Sequence, residues 1–389
     1  MADLGECKME NAKCKIKNKN LQFKICNLKF AIEEQGFSLV ELLVSMFIAT
    51  VVGLAGYVIF SSSNWSYKVQ EDVSEAQQNV RVAMDRLARD IRMAGFGLPD
   101  PPFSLSFTNL SATAPTLPNP LTSPVTVTNS SADPDTITIL GIGYEAGVLM
   151  QGGDAGCNGT GDNFICLCRA STECPNDVNE PSSFFTGTGY QANRRYISIN
   201  GATFIELSSN AGDHTETTGS GDTLRTKMKL SSPATLDRDY PEGTPVYIIQ
   251  AVQYTIANDL TGCSATNPCL VSRDYTMLRG GNTPGAREVL AENIEDIQFA
   301  FGIDADPRDG KIDYAGGYDA SAFSNDPADD SNIVAVRANI VGRARNQDPK
   351  GGTGFKRPAL EDRAEGAGDS YRRRILTNVI KLRNPRQGS

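Results

Sequence analysis

Histidine and tryptophan are almost absent from this sequence. The chain has 389 residues, but it contains one tryptophan and one histidine, His214, which lies in a loop rich in glycine, threonine and aspartate. No G-x-S-x-G nucleophile motif accompanies this histidine. Hydrolysis needs an acid, a base and a nucleophile that converge. We therefore predict that the protein is not an enzyme and that His214 is a solvated loop residue.

An excess of basic residues is also missing. Lysine and arginine total 37, aspartate and glutamate total 46, and the net charge is −9. A nucleic-acid-binding protein would show a basic stripe, so this composition argues against nucleic acid as a partner. The chain is long enough for one sizeable domain or two small ones.

Charge is nearly missing from one stretch. From Phe37 to Phe60 the residues are apolar or small, and Glu41 carries the one formal charge. At about 1.5 Å per residue, a helix of this length spans a bilayer. A carboxylate in hydrocarbon is costly and therefore marks a functional position. The alternative is a plain single-pass anchor with Glu41 near its interfacial end.

The sequence GFSLVELLVS, which begins at Gly36, resembles the N-terminal signature of type IV prepilins and pseudopilins. The resemblance implies that prepilin peptidase cleaves between Gly36 and Phe37 on the cytoplasmic side and that the new Phe37 amine is then methylated. It also implies that Glu41 meets the positively charged N-terminal amine of a neighbouring subunit in a filament. A partner of opposite charge makes a buried carboxylate tolerable.

Residues 1–36 would then be a cytoplasmic leader. They are rich in lysine and lack the apolar region of an ordinary secretory signal. The leader is long, and EEQ precedes Gly36 where prepilins usually have a basic residue, so translation starting at Met9 or later is the alternative. Cleavage would remove seven lysines and five acidic residues, which changes the net charge from −9 to −11.

The cysteines divide at the predicted cleavage site. An even number follows it: Cys157, Cys166, Cys168, Cys174, Cys263 and Cys269. This fits disulfides in an oxidising periplasm, with metal binding or free thiols as the alternative, although the C-x-x-C pairs typical of zinc sites are missing. We predict a local bond between Cys263 and Cys269. The pairing of the other four remains open.

Residues 37–97 are predicted to form one long helix that is transmembrane to about residue 60. The second half has an apolar stripe at steps of three and four: Trp65, Val69, Val73, Ala76, Val80, Ala83, Leu87 and Ile91. Gly95, Gly97 and Pro99 should end the helix. We predict that a globular domain packs on this stripe. The alternative is a coiled-coil stalk.

Residues 98–389 read as a β-rich domain. Residues 99–134 are rich in proline, serine and threonine, which predicts an extended, weakly structured connection. The first strong strand is predicted at 135–142, and later alternating runs predict an antiparallel meander. A short helical start is predicted from residue 287, followed by a strand from Ile297 to Ile303.

An acidic turn follows that strand and contains Asp304, Asp306, Asp309 and Asp313. Calcium prefers such a set of oxygen ligands, and the spacing resembles an EF-hand loop with one inserted residue and no closing glutamate. Calcium is therefore a possible cofactor, and no other cofactor is predicted. The alternative is an acidic β-turn that joins two strands.

The C-terminal runs VAVRANIVGRAR and RRRILTNVIKLRN resemble the C-terminal half of PilW-type minor pilins. The resemblance covers both ends of the chain, whereas about 98–286 match no pattern. It implies an α+β, type IV pilin-like fold, in which a long N-terminal helix packs on an antiparallel β-sheet. The basic residues of these strands are predicted to form a solvated sheet face or a subunit contact: Arg337, Arg343, Arg345, Arg372, Arg373 and Arg374.

The resemblance implies a minor pilin that takes part in type IV pilus assembly or initiation, at or near the pilus tip. Its partners would be other minor and major pilins, prepilin peptidase, the inner-membrane assembly platform and the membrane. It would be a single-pass inner-membrane protein with a periplasmic C-terminal domain, and would reach the pilus or cell surface after assembly. The alternatives are a J-type pseudopilin of type II secretion and a tip adhesin.

Overall fold

A computed structural model of the chain describes one long helix and fifteen strands. The described residues are 38–99, 103–107, 117–150, 157–170, 194–218, 224–276, 287–304, 312, 323–325, 333–348 and 352–383. The chain divides into two compact units, Met1–Asn64 and Trp65–Ser389.

The helix, α1, runs from Leu39 to Met93 and so begins in the first unit and ends in the second. It ends where the sequence predicts, because Gly95 and Gly97 adopt positive φ values of 82° and 78°. Glycine reaches this conformation without steric cost. The Gly95 N–H donates to the carbonyl oxygen of Leu140 (2.9 Å), which fixes the helix end to a strand.

The apolar stripe in the second half of α1 is buried against the β-rich domain, as predicted. Its fully buried residues are Ala76, Val80, Ala83, Met84, Leu87, Ala88 and Ile91. These side chains join the largest hydrophobic cluster of the protein, which also takes residues from both major sheets. Burial of this stripe, rather than helix propensity, holds the second half of α1 in place.

The strands form three antiparallel sheets. Their bounds are β1 Val125–Thr128, β2 Thr136–Leu149, β3 Phe164–Ala170, β4 Tyr196–Ile199, β5 Thr203–Glu206, β6 His214–Thr218, β7 Leu224–Lys229, β8 Pro245–Ala257, β9 Cys269–Asp274, β10 Arg287–Glu292, β11 Ile294–Ile303, β12 Ile333–Arg343, β13 Phe355–Lys356, β14 Gly368–Asp369 and β15 Arg373–Lys381.

The largest sheet has ten strands, in the order β10-β9-β8-β2-β3-β7-β6, with β1 beside β2 and with β4 joining β5 to β8. Within the stretch predicted as a meander, β4 pairs with β5, β6 with β7 and β8 with β9, but β8 also pairs with β2 and β4, so the strands do not follow in simple order. A second sheet has the order β11-β12-β15, and β13 pairs with β14. The α+β fold class is confirmed.

The helix approaches the three-stranded sheet most closely at Gly342 in β12. A Cβ atom at this position would overlap Cγ2 of Val80, and the carbonyl oxygen of Ala76 is also near. Only a residue without a side chain allows this approach. The close contact between α1 and β12 therefore depends on a glycine in a strand, where glycine is otherwise unfavourable.

The prediction of a weakly structured connection at 99–134 is wrong for the part that the structure describes. Phe107, Leu117 and Leu121 are buried, and Leu105 forms a β-bridge with Leu121. Strand β1 also lies in this region. The scattered apolar residues between the prolines fill a separate core cluster, and their burial outweighs the turn-rich composition.

The predicted helical start at residue 287 is also wrong, because this segment is strand β10. Asn293 adopts a φ of 59° and connects β10 directly to β11. Pairing of β10 with β9 satisfies the backbone, and Ala291 is buried in the main core. Tertiary pairing has overridden a weak local preference for helix.

Candidate processing and assembly site

Glu41 lies in the first turn of α1. The helix begins after Ser38, whose carbonyl oxygen accepts a hydrogen bond from Leu42 N–H (3.1 Å). Ser38 and Glu41 have the S-x-x-E spacing of a capping box. A negative charge in this turn also interacts favourably with the positive end of the helix dipole. The carboxylate therefore suits a helix start, independently of any partner.

Glu41 is the one charged residue between Ser38 and Tyr67. It is exposed, and it forms no hydrogen bond or ion pair with any residue that the structure describes. The other polar groups nearby are satisfied within the helix. Ser45 Oγ donates to the carbonyl oxygen of Leu42 (3.0 Å), and Thr50 Oγ1 donates to that of Met46 (2.7 Å). Among the described polar groups of this segment, Glu41 therefore stands out, because a carboxylate without a partner would be costly in hydrocarbon.

The apolar side chains around Glu41 are exposed in the described structure. Leu39 is 77% exposed and Phe47 is 70% exposed, and no residue of the most apolar 18-residue window is buried. The helix is long and apolar enough to cross a membrane. So large an exposed apolar surface is unusual for a soluble monomer and is typical of a surface that contacts lipid or another protein.

Gly36 and Phe37, the predicted processing residues, lie outside the described residues. The cleavage site therefore remains a prediction from the sequence. Phe37 precedes Glu41 by four residues, so a chain cleaved after Gly36 would carry its new amino group close to Glu41 in the sequence.

The predicted calcium site is described only at Asp304, which directly follows β11 and is buried. Asp306, Asp309 and Asp313 lie outside the described residues. Among the residues that are described, no group of three or more histidine, cysteine, aspartate or glutamate side chains could hold a metal ion. Calcium binding stays a prediction.

Two disulfides close loops in the β-rich domain. Cys263 is bonded to Cys269 across the turn between β8 and β9, and Cys157 is bonded to Cys166. Cys168 lies in β3, but its side chain and the whole of Cys174 are outside the described part of the chain.

The loop closed by Cys157 and Cys166 is further held by Asn158, which is fully buried at a positive φ of 64°. The Asn158 amide donates to the carbonyl oxygens of Met150 (2.9 Å) and Cys166 (3.0 Å), and its Oδ1 accepts from Cys166 N–H (3.0 Å). This loop is thus fixed by a buried polar network as well as by a covalent bond.

His214 is not a solvated loop residue, so that prediction is wrong. It begins β6 and is buried, and its Nε2 donates to the carbonyl oxygen of Ser208 (2.9 Å). Burial lowers the pKa of His214. The Ser208 hydroxyl donates to Asp213 instead (2.6 Å), so these three residues lack the serine–histidine–aspartate order of a hydrolase.

Three of the six arginines predicted to form a solvated basic face are paired with carboxylates. Arg337 binds Glu361 through two nitrogens (2.7 and 2.8 Å), and Arg372 binds Asp348 (2.7 Å). Arg373 bridges Glu295 (2.6 Å) and Asp369. The prediction of a solvated face is therefore wrong for these residues, because acidic residues from distant segments neutralise them.

A buried carboxylate that the sequence analysis missed holds the β13–β14 hairpin to β11. Asp296 is fully buried between Arg357 (3.0 Å) and Arg363. Desolvation raises its pKa, although both arginines oppose the shift. An aspartate in an alternating strand gave no local signal, because its two partners lie more than 60 residues further along the chain.

A second missed carboxylate, Asp135, joins the two major sheets. It is fully buried just before β2, and it accepts hydrogen bonds from the backbone N–H groups of Ser130 and Phe299 (both 2.9 Å). Desolvation raises its pKa from 3.8 to about 7, against the effect of these two hydrogen bonds. A shift of this kind predicts that the stability of the domain depends on pH.

Comparison with protein families matches both ends of the chain. Residues 33–57 match the prokaryotic N-terminal methylation motif, and residues 253–384 match the family described as type IV pilus-assembly protein W, PilW. The second match begins within β8 and extends beyond β15. The predicted resemblance to PilW-type minor pilins is confirmed.

A curated relative is the pilin-like protein PilA3 of Thermus thermophilus, which is 36% identical over 83 residues. This match covers 18% of the present chain and 36% of the relative, so the chain spans about a third of the length of the relative it matches. No solved structure matches the chain.

Proposed function

We propose that this chain, with a prepilin-type N-terminus and a PilW-type C-terminal region, is a minor pilin that helps to initiate type IV pilus assembly at or near the pilus tip. The observation that carries the proposal is the exposed apolar half of α1 with Glu41 in its first turn. The matches at residues 33–57 and 253–384 support the same family at both ends.

Maturation begins at the membrane. Prepilin peptidase cleaves between Gly36 and Phe37 on the cytoplasmic side, and the Phe37 amine is then methylated. The first half of α1 remains in the inner membrane as a single span, and the β-rich domain, from about residue 98, lies in the periplasm. The disulfides of that domain support this placement, because disulfides persist in oxidising compartments.

Assembly then replaces lipid with protein. The exposed side chains of the first half of α1 pack against the helices of other minor and major pilins, and the inner-membrane assembly platform drives the transfer. Glu41 is neutralised by the amino terminus of a neighbouring subunit. Such pairing compensates for the cost of a carboxylate in a low-dielectric core. The role is structural rather than catalytic.

Replacement of Glu41 by alanine or valine tests this proposal. Both variants should insert into the membrane, because the apolar span is retained, but the number of pili seen by electron microscopy should fall by about tenfold or more, since an ion pair in hydrocarbon is lost. Phe37 methylation, measured by mass spectrometry of the N-terminal peptide, is a second readout. Normal piliation in both variants would refute the role of Glu41.

Ser45→Ala is the matched control, because Ser45 lies one turn further along the same helix and bonds only to its own helix in the described structure. It should leave the number of pili unchanged. A defect in protein secretion with normal piliation in the Glu41 variants would instead identify the chain as a J-type pseudopilin.

A further inference from the structure

The outer edge of β15 pairs with no other described strand, and just beyond this edge Arg383 N–H donates to the carbonyl oxygen of Arg92 in α1 (3.1 Å). This strand pairs only with β12. Ala344 N–H donates to the carbonyl oxygen of Arg372 (2.7 Å), and Leu382 N–H donates to that of Val334 (3.0 Å). In an antiparallel ladder, bonding groups alternate along each strand. The backbone groups of even-numbered residues therefore face β12, and those of odd-numbered residues face outward.

The outward groups belong to five residues: Arg373, Ile375, Thr377, Val379 and Lys381. Ile375 is 45% exposed and Val379 is 43% exposed, and Thr377 and Lys381 are also exposed. An open row of N–H and C=O groups next to β-branched side chains is a template for another strand. The edge is thus both accessible and suited to strand pairing.

The charge of this edge differs from that of the protein. The whole chain carries −9, but the segment from Arg373 to Arg383 contains no acidic residue. Arg374 is exposed and forms no ion pair with a described residue, whereas the nearby Arg373 and Arg337 are each paired. A partner segment that carries carboxylates would complement this edge.

Arg374 also lines a cleft of about 190 Å³ between α1 and the start of β15. Val73 and Ala76 of the helix form one wall, and Phe355 forms part of the other. The methylene groups of an aspartate or glutamate would contact the apolar wall while its carboxylate contacts Arg374. The cleft can therefore bind one acidic side chain at the end of the outer edge of β15.

Pairing of β15 with the β15 of a second copy is disfavoured by charge. An antiparallel pair centred on Thr377 would place Arg373 of one copy opposite Lys381 of the other. Like charges at directly opposed positions destabilise a strand pair. The basic residues thus act against symmetric self-association while they leave an acidic partner free to bind.

We propose that the open edge of β15 receives an extended, carboxylate-bearing segment of a different pilin subunit by β-strand addition. Backbone hydrogen bonds provide the affinity, Ile375 and Val379 contact alternate side chains of the added strand, and Arg374 and Lys381 bind its carboxylates. This inference rests on the proposed function, because it requires neighbouring pilin subunits in the same assembly.

Val379→Pro tests the proposal within the full chain in piliated cells. The Val379 N–H faces outward, so proline removes a donor for the added strand and leaves the bonds to β12 intact. A photo-reactive residue at position 375 should cross-link to the acidic segment of another pilin, identified by peptide sequencing. Val379→Pro should reduce this cross-link by about tenfold.

Val379→Thr is the matched control, because threonine keeps both the N–H group and the β-branched shape. It should retain the cross-link. The double charge reversal Arg374→Glu and Lys381→Glu provides an independent test that does not alter the backbone, and it should also weaken the cross-link. Equal cross-linking in all variants, a cross-link only to a second copy of this chain, or no cross-link to any pilin would each overturn the proposal.

Failure of the strand-addition proposal can be distinguished from failure of the proposed function. Val379→Pro should still be cleaved and methylated at Phe37, since position 379 lies far along the chain from the processing site. Loss of the β15 interaction with normal processing would leave the Glu41 role intact. Normal piliation of the Glu41 variants would remove the proposed function whatever the cross-links show.

Discussion

The two halves of α1 have the same secondary structure but opposite environments. From Leu39 to Asn64 nearly every side chain is exposed, whereas seven residues between Ala76 and Ile91 are fully buried. The first half has one charged residue, and the second half carries charges on the face opposite its apolar stripe. One continuous helix thus combines a segment that the domain stabilises with a segment that needs lipid or other subunits.

The two halves of α1 should therefore respond differently to substitution. Packing against the sheets fixes the second half, so substitutions there should affect the unfolding of the domain. No side chain from Leu39 to Asn64 is buried in the described structure, so substitutions there should affect assembly rather than the unfolding of the domain. Paired substitutions in the two halves therefore test the comparison directly.

The largest expected difference is between Leu87→Ala and Leu43→Ala. Leu87 is fully buried in the main core, and its truncation should lower the free energy of unfolding by about 2–5 kcal/mol because it leaves a cavity. Leu43 is 58% exposed, and its truncation should not change the unfolding of the domain. Thermal unfolding in detergent measures both variants. Equal shifts of their unfolding temperatures would contradict the difference between the two halves of α1.

A smaller effect is expected for a matched pair of glycine substitutions. Gly342→Ala should destabilise the domain by about 1–3 kcal/mol, because its new methyl group would overlap Val80. Gly53→Ala should not destabilise the chain, since no atom lies within 4 Å of the added Cβ and alanine favours helix. Chemical denaturation in detergent distinguishes them, and an unchanged midpoint for Gly342→Ala would contradict the described helix–sheet contact.

A third effect concerns pH and should be confined to the packed region. The pKa of Asp135 is about 7 in the folded protein and near 3.8 when unfolded, so between these values the folded state binds the additional proton. Stability should therefore fall as the pH rises from about 4 to about 7 and then become constant. Asp135→Asn should flatten this slope, even if the variant is less stable at every pH. An identical slope in the variant would refute this origin.

The elements with strong periodicity could be predicted from the sequence. The stripe of α1, the alternation of β12 and β15, and the glycines that end the helix each appear in a local pattern. In β15, Ile375 and Val379 are exposed while Ile380 is buried, as alternation requires. The apolar run that contains Glu41 also predicts the N-terminal methylation motif.

What could not be predicted depends on contacts between distant segments. The partners of Arg337 and Arg373 and the buried ion pairs of Asp296 involve residues that no local pattern connects. The sequence predicts a helical start where strand β10 forms, because the pairing of β10 with β9 is a tertiary effect. Local sequence patterns therefore predict α1, β12 and β15. The buried ion pairs and the pairing of β10 depend on contacts between residues that are distant in the sequence.

The most direct test of the account is mass spectrometry of the mature amino terminus. If the first half of α1 is a membrane segment awaiting assembly, the mature chain begins at Phe37 and carries a methylated amine. Glu41 then lies close to that modified end. A chain purified from piliated cells with an intact bond between Gly36 and Phe37 would contradict the account.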